Sequence, residues 1–159
     1  AELEAGSVFL VGEEQGFLGG SAYSRIVDPA GTYTAGPYNP SKERAFMERA
    51  HRTAREEAAA AGRALAGGGL LVALAKICRD TGIGISLDAG NLDLSTDRLF
   101  GEWGARAVYL VPEGSTDLFL SCWEGFPARR IGKITGGVLA LEEREIYPGK
   151  TPQEKVKEA

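Results

Sequence analysis

The sequence predicts an α/β (α+β) fold: a mixed sheet of about five strands with helices packed on one of its faces. The first indication is an apolar helical run, Leu70–Ile77, which is followed by a strand-like segment, Ile83–Leu87, after the breakers Thr81 and Gly82. The second is a longer helical pattern upstream, Ser41–Ala61. Because helices alternate with strands along the rest of the chain, we expect the two longest helices to cover the same face of the sheet.

The upstream helix is predicted from its composition and its repeat. Residues 42–61 are rich in Ala, Glu and Arg, which favour helix. One stripe recurs every four positions: Phe46, Ala50, Ala54 and Ala58. Ser41 is the candidate N-cap and Gly62 the candidate C-terminal stop, while two glycines and a proline within 30–39 exclude a regular helix there.

Short apolar runs between turn residues predict the strands. Besides Ile83–Leu87 they are Ser7–Val11, Ala107–Val111, Arg130–Thr135 and Val138–Glu142. The last two are separated by Gly136 and Gly137, a turn signal that predicts a hairpin. Two further short helices are predicted at Asp97–Trp103 and Ser115–Glu124.

A length of 159 residues suits one domain, to which we assign residues 1–146, followed by a charged tail at 147–159. No apolar run approaches the roughly 20 residues that span a bilayer. The first ten residues lack the basic region of a secretory signal. We therefore expect a cytoplasmic protein that has no membrane partner.

Charge and cysteine content narrow the classes of partner. The formal net charge is -4, and the only short basic cluster is Arg129, Arg130 and Lys133, so nucleic acid is not expected as a partner. Cys78 and Cys122 lie far apart without a CxxC pattern or a nearby histidine cluster. We interpret both as packed, reduced thiols and expect no metal site.

Three consecutive glycines, Gly67, Gly68 and Gly69, precede the apolar helix. Glycine lets a backbone approach a ligand closely, and the first N–H groups of a helix attract anions, so a phosphate or carboxylate is one candidate occupant. A tight turn between two elements is the alternative, and spacing alone favours it.

Other candidate residues also have two interpretations. Ser21 follows two glycines and either offers a hydroxyl or N–H to a phosphate or forms a strand-capping turn. His51 has no carboxylate or thiol near it in the sequence that could form a catalytic triad with it, so it is interpreted as a solvated helix residue. Asp88, Asp93 and Asp97 lack the glycine and terminal glutamate of a calcium loop, so they are interpreted as solvated.

The sequence resembles the C-terminal domain of phosphoribosylformylglycinamidine synthase and, less closely, that of aminoimidazole ribonucleotide synthetase. The resemblance runs in order through most of residues 7–141. Six segments carry it: LGGSAY (18–23), GGLLVALAKI (68–77), GIGISLD (82–88), LFGEWGAR (99–106), VYLVPEG (108–114) and ARRIGKITGG (128–137). A series in fixed order is far more specific than any one of its members.

The resemblance implies an AIR synthase C-terminal-domain-like fold and a step of purine biosynthesis. In that family ATP phosphorylates the amide oxygen of formylglycinamide ribonucleotide, and ammonia from a glutaminase domain or subunit displaces it. An N-terminal domain supplies most of the ATP and magnesium site, while the C-terminal domain closes a shared cleft. The implied partners are therefore that domain, the glutaminase and the ribonucleotide; a second copy of the chain is a further candidate. The chain by itself is expected to be inactive.

The glycine loop departs from the family pattern. The family usually has His-Asp-x-Ser-Asp-Gly-Gly-Leu there, whereas residues 63–70 read Arg-Ala-Leu-Ala-Gly-Gly-Gly-Leu. The backbone turn is kept and the polar side chains are lost. Two hypotheses remain: a substrate-cleft domain of the amidine synthase, or a degenerate scaffold of the same superfamily that has no catalytic role.

Glu102 and Arg106 match the family segment LFGEWGAR and complete the candidate set. Because residues i and i+4 are neighbours on a helix, this spacing would place the carboxylate and the guanidinium on one helical face toward the cleft. The set expected around the ribonucleotide is Ser21, Gly67, Gly68, Gly69, Glu102 and Arg106. A plain ion pair between Glu102 and Arg106 is the alternative for those two residues.

Overall fold

The computed structural model describes residues 3, 5–13, 16–141 and 144–147. The strands are β1 (Gly6–Gly12), β2 (Ala61–Ala64), β3 (Ile83–Leu87), β4 (Arg106–Pro112), β5 (Ala128–Gly136), β6 (Leu139–Leu141) and β7 (Arg144–Tyr147). The helices are α1 (Ala22–Val27), α2 (Pro40–Arg55), α3 (Gly69–Thr81), α4 (Thr96–Phe100) and α5 (Thr116–Cys122). Apart from Tyr147, which ends β7, the predicted charged tail lies outside the described residues.

Within that described part, the strands form one seven-stranded sheet in the order β2-β4-β1-β5-β3-β6-β7. β3 and β6 are parallel, and the other neighbours are antiparallel. The predicted class, a mixed sheet with helices, is therefore confirmed. The sheet is wider than expected because the short edge strands β2 and β7 have weak sequence signals. No helix among the described residues is both long and apolar enough to cross a bilayer.

The prediction that both long helices lie on one face is wrong. On β1, Val8 and Leu10 contribute to the core cluster built on α3, whereas Phe9 and Val11 contribute to a second cluster built on α2 and α5. Successive strand residues point to opposite faces, so helices cover both faces of the sheet. The unbroken apolar run of β1 is the sequence signal for this, since a strand that is covered on one side alternates with polar residues.

The predicted hairpin of the last two long strands is also wrong. β5 pairs with β1 along one edge and with β3 along the other, so it has no free edge for β6. The turn at Gly136 and Gly137 instead carries β6 past β3, where the Ile85 N–H donates to the Val138 carbonyl at 2.7 Å. Ile85 then lies opposite Leu139 in a parallel ladder.

Helix α2 is shifted and shorter than predicted. Its N-cap is Asn39, whose side chain accepts the N–H groups of Ser41 and Lys42, rather than Ser41 itself. The helix ends at Arg55 because Glu57 adopts a left-handed conformation at φ 52°. Ala61 and Gly62, predicted as the end of the helix and its stop, instead begin β2, which pairs with β4. Helix α1 was not predicted, and α4 and α5 are shorter than predicted.

Candidate functional site

The candidate site is a cluster of three backbone segments held together by one carboxylate. One Oε1 atom of Glu102 accepts the N–H of Ala22 at 2.6 Å and the N–H of Gly68 at 2.7 Å. Ala22 begins α1 and Gly68 precedes α3, so both helix starts meet at this carboxylate. We call residues 18–22, 67–69 and 102 the loop cluster. It unites the LGGSAY, glycine-loop and LFGEWGAR segments.

Two of the three glycines have a conformational reason for being glycine. Gly68 and Gly69 have φ values of 96° and 70°, a region that side chains disfavour. A Cβ on Gly69 would lie 2.6 Å from the carbonyl carbon of Phe100, so α3 starts against the end of α4. Gly67 is exposed, and no atom would lie within 4 Å of a Cβ there. Its open surface is the part of the turn that can face a ligand.

Ser21 serves as the N-cap of α1. Its hydroxyl oxygen accepts the Ser24 N–H at 3.0 Å, and the Ser24 hydroxyl donates back to the Ser21 carbonyl at 3.0 Å. Ser21 is buried, with 1% of its surface exposed. The hydroxyl therefore caps a helix, α1, where the sequence analysis considered a strand-capping turn.

Glu102 and Arg106 are not neighbours on one helix, contrary to the sequence prediction. Helix α4 ends at Phe100, and Arg106 is the first residue of β4. Gly101, just before Glu102, is the C-cap of α4, and Gly104, between the two residues, has a φ of 85°, so the helical pattern does not continue to Arg106. The Arg106 guanidinium is 2% exposed and its Nη2 donates to the Arg98 carbonyl at 3.3 Å. It therefore ties the start of β4 to α4.

Aromatic side chains flank the loop cluster, and sequence reasoning missed them. Tyr23 stacks on Phe100 with ring centroids 5.2 Å apart, and Phe17 meets Trp103 edge to face at 5.2 Å. Gly36 lies against Trp103, since a Cβ on it would be 2.3 Å from the indole. The sequence signal that could have identified them is their position, since Tyr23, Phe100 and Trp103 lie within the segments that carry the family resemblance and Phe17 directly precedes one.

The histidine and two of the aspartates considered in the sequence analysis have local structural roles or are exposed to solvent. His51 is exposed on α2. Asp88 accepts the Gly90 N–H at 2.9 Å, and Asp93 accepts the Ser95 N–H at 2.9 Å, a bond that holds the pKa of Asp93 below its usual range. In the described portion, no group of three or more His, Cys, Asp or Glu side chains is placed to hold a metal.

Both cysteines are buried free thiols, as predicted. Burial raises the pKa of the Cys78 thiol to about 11. The Cys122 Sγ donates to the Glu56 carboxylate at 3.6 Å, and burial together with that carboxylate raises its pKa. Neither thiol is activated as a nucleophile, because nucleophilic cysteines have lowered pKa values.

The family profile described as AIR synthase related protein, C-terminal domain, matches residues 4–142. The chain belongs to this family. Its curated relatives include phosphoribosylformylglycinamidine synthase subunit PurL of Thermobifida fusca (strain YX), which is 35% identical over 139 residues, 86% of this chain and 18% of the relative. PurL of Bradyrhizobium sp. (strain BTAi1 / ATCC BAA-1182) is 33% identical over 143 residues, 88% of this chain and 20% of the relative. The AIR synthase related domain thus spans about a fifth of the length of these relatives.

Solved structures share the fold of this AIR synthase related domain. T. maritima PurL complexed with FGAR superposes with a TM-score of 0.68 at 17% identity, covering 96% of this chain and 31% of that chain. E. coli HypE, a hydrogenase maturation protein, superposes with a TM-score of 0.63 at 15% identity, covering 94% and 50%. One fold therefore accompanies two differently named proteins, so the fold alone does not identify the reaction.

Proposed function

We propose that this chain is the substrate-cleft domain of an ATP-dependent phosphoribosylformylglycinamidine synthase, which converts formylglycinamide ribonucleotide to its amidine with ammonia. The observation that carries the proposal is the double hydrogen bond of Glu102, which joins the LGGSAY turn to the glycine turn. The bridge fixes the two turns side by side, so that they form one preorganised wall. The similarity to PurL subunits supports the same assignment.

In this proposal some of the six candidate residues face the ligand and the others fix the backbone around it. The exposed backbone of Gly67 faces the ribonucleotide, while the left-handed Gly68 and Gly69 shape the turn. Ser21 and Glu102 hold the wall in place through their own hydrogen bonds, and Arg106 ties β4 to α4, against which Gly69 packs. The wall orients the substrate and excludes water, and the phosphoryl transfer itself takes place on groups outside this chain.

ATP and magnesium are assigned to an N-terminal domain in this proposal. The Gly68 N–H already donates to Glu102, and among described residues no metal-binding group of acids is present, so the donor set here does not fit a metal–nucleotide centre. Ammonia would come from a glutaminase domain or subunit. The solved structure of PurLQS from Thermotoga maritima, whose PurL shares the present fold, is consistent with such an assembly.

A second candidate function, a scaffold without ligand, is favoured by a specific observation. Glu102 occupies the N–H groups of both Ala22 and Gly68 with an anion of the chain itself. Arg63, at the position of the family histidine, pairs with Asp80 at 2.5 Å instead of facing the loop cluster. In this alternative, the domain contributes only packing against its neighbours.

The two functions separate in steady-state kinetics of the natural polypeptide that contains this domain, assayed at a temperature where all variants stay folded. Glu102→Ala is compared with Glu48→Ala, which removes an acid from the exposed face of α2. A cleft wall predicts a KM for formylglycinamide ribonucleotide raised about tenfold or more in Glu102→Ala alone. Unchanged KM and kcat in a less stable Glu102→Ala protein would overturn the cleft assignment and support the scaffold.

A further inference from the structure

A cleft that shares no residue with the loop cluster lies where β3 and β5 meet the turn after β3. Its volume is about 320 Å³. The polar groups and the glycine that line it are Ser86, Asp88, Asn91, Arg130, Gly132 and Lys133. Two of them come from the only short basic cluster of the sequence, Arg129, Arg130 and Lys133, to which the proposed function assigns no role.

A β-bulge turns both cations toward this cleft. Strand residues three apart ordinarily point to opposite faces. In the pairing with β1, however, Phe9 lies opposite Arg130 and Ser7 lies opposite Lys133. Ser7 and Phe9 are two residues apart and share a face, so Arg130 and Lys133 share it as well. The register shift inserts Ile131 as the extra residue, and bulges of this kind re-aim side chains next to functional sites.

The two cations are exposed to solvent and share the cleft with one acid, Asp88. Both are exposed, and the carboxylates of the described chain make no ion pair with either of them. The Arg130 Nε donates to the Gly132 carbonyl at 3.4 Å, which directs the guanidinium along the strand. The one acid of the cleft, Asp88, is engaged by Asn91 at 2.5 Å and by a backbone N–H at 2.9 Å.

Gly132 is the residue that lets β3 and β5 close up beneath the two cations. A Cβ at this position would lie 2.4 Å from the Ser86 carbonyl oxygen. The Asp88 N–H donates to the carbonyl of the bulged residue at 2.9 Å, so the turn after β3 is fixed against the bulge. The geometry of the cleft is therefore set by backbone contacts rather than by mobile side chains.

We propose that this cleft binds a small phosphate monoester through Arg130 and Lys133. A guanidinium recognises phosphate with paired N–H donors, and an ammonium adds a point charge, a combination suited to a dianion. The volume of about 320 Å³ lies at the lower end of the roughly 300–1,000 Å³ of ligand pockets, which favours a phosphorylated sugar over a complete nucleotide. The proposal does not depend on the function assigned to the loop cluster.

The test is a titration of the ¹⁵N-labelled chain, observed by NMR, with ribose 5-phosphate, inorganic phosphate and uncharged ribose. The amides of Ser86, Gly132 and Lys133 should shift and saturate at millimolar concentrations of ribose 5-phosphate, more weakly with phosphate, and not with ribose. Arg130→Gln and Lys133→Gln should each weaken binding about tenfold. Arg44→Gln, which removes the same charge from the exposed face of α2, should leave binding unchanged.

The spectrum of each variant reports its folding, and the wild-type titration decides the question even where a variant is perturbed. Amides of the cleft that stay unmoved with both phosphates at millimolar concentrations would overturn the proposal. If Arg44→Gln weakened binding of ribose 5-phosphate as much as Arg130→Gln, the binding would be non-specific charge attraction and the proposal would be wrong. Shifts of the same amides with an acidic peptide, and not with phosphate or its sugar ester, would replace it with a protein-binding surface.

Discussion

Glu102 accepts the backbone N–H of Gly68 at 2.7 Å, across a separation of 34 residues in the chain. The carboxylate therefore sits at the start of α3, where the positive end of the helix dipole favours an anion. In this chain that anion is an internal side chain that also binds the start of α1 at Ala22. The same contact supports both candidate functions: it braces a cleft wall in the first, and it occupies the N–H groups of the turn in the second.

Glu102→Ala should lower the free energy of unfolding by about 2 kcal/mol, because two backbone donors lose a charged acceptor. Glu102→Gln should lose less, since its amide oxygen can still accept both N–H groups. Urea denaturation of the chain measures both changes. Glu48→Ala is the matched control on an exposed helix face and should change stability little. Equal stability of the Glu102→Ala and Glu48→Ala proteins would contradict the bridging role.

Gly69→Ala and Gly67→Ala should differ sharply although they lie two residues apart. At Gly69 the backbone is left-handed and the new methyl would collide with the chain at Phe100, at a cost of about 3 kcal/mol. At Gly67 nothing lies within 4 Å, so the change should stay within about 0.5 kcal/mol. Thermal unfolding of the two proteins provides the comparison. A Gly69→Ala protein as stable as Gly67→Ala would show that the turn is not fixed against α4.

The buried thiol of Cys78 should make the fold sensitive to alkali. Its pKa is raised to about 11 from the ordinary 9.0, so the folded state disfavours the thiolate. This contribution to stability is fully present below pH 9.0 and is lost as the pH rises toward about 11. Cys78→Ala should therefore flatten the fall of urea stability over that range. Tyr109 and Cys122, whose pKa values are also raised, remain in both proteins and cancel in the difference.

A parallel slope of stability against pH in Cys78→Ala and wild type would contradict this reasoning. Labelling provides an independent check, because a thiol that is 1% exposed reacts only when the structure opens. Modification of Cys78 by a thiol reagent at neutral pH should thus be much slower in the native chain than in urea.

Local signals in the sequence were sufficient for the elements around the glycine turn. The apolar run of α3, its left-handed ends at Gly68 and Gly82, and the following strand β3 are all encoded by nearby residues. The family resemblance likewise rests on contiguous segments, and the profile match over 4–142 confirms it. Elements whose signals lie within about a dozen consecutive residues, such as α3 and β3, were therefore predicted correctly.

Relations between distant segments could not be predicted in the same way. The hairpin failed because β5 has both edges occupied by β1 and β3, which only the assembled sheet shows. The helical pairing of Glu102 with Arg106 failed because α4 ends at Phe100, before either residue. The true partners of Glu102 are backbone groups 34 and 80 residues away, and a backbone donor leaves no mark on the identity of its residue.

The most direct test of the proposed function is calorimetric titration of formylglycinamide ribonucleotide into the natural polypeptide that contains this domain. We expect saturable binding of one ribonucleotide per loop cluster, and an affinity about tenfold weaker in Glu102→Ala than in Glu48→Ala. No heat of binding from a folded wild-type protein, or equal affinities in the two variants, would contradict a cleft built on Glu102.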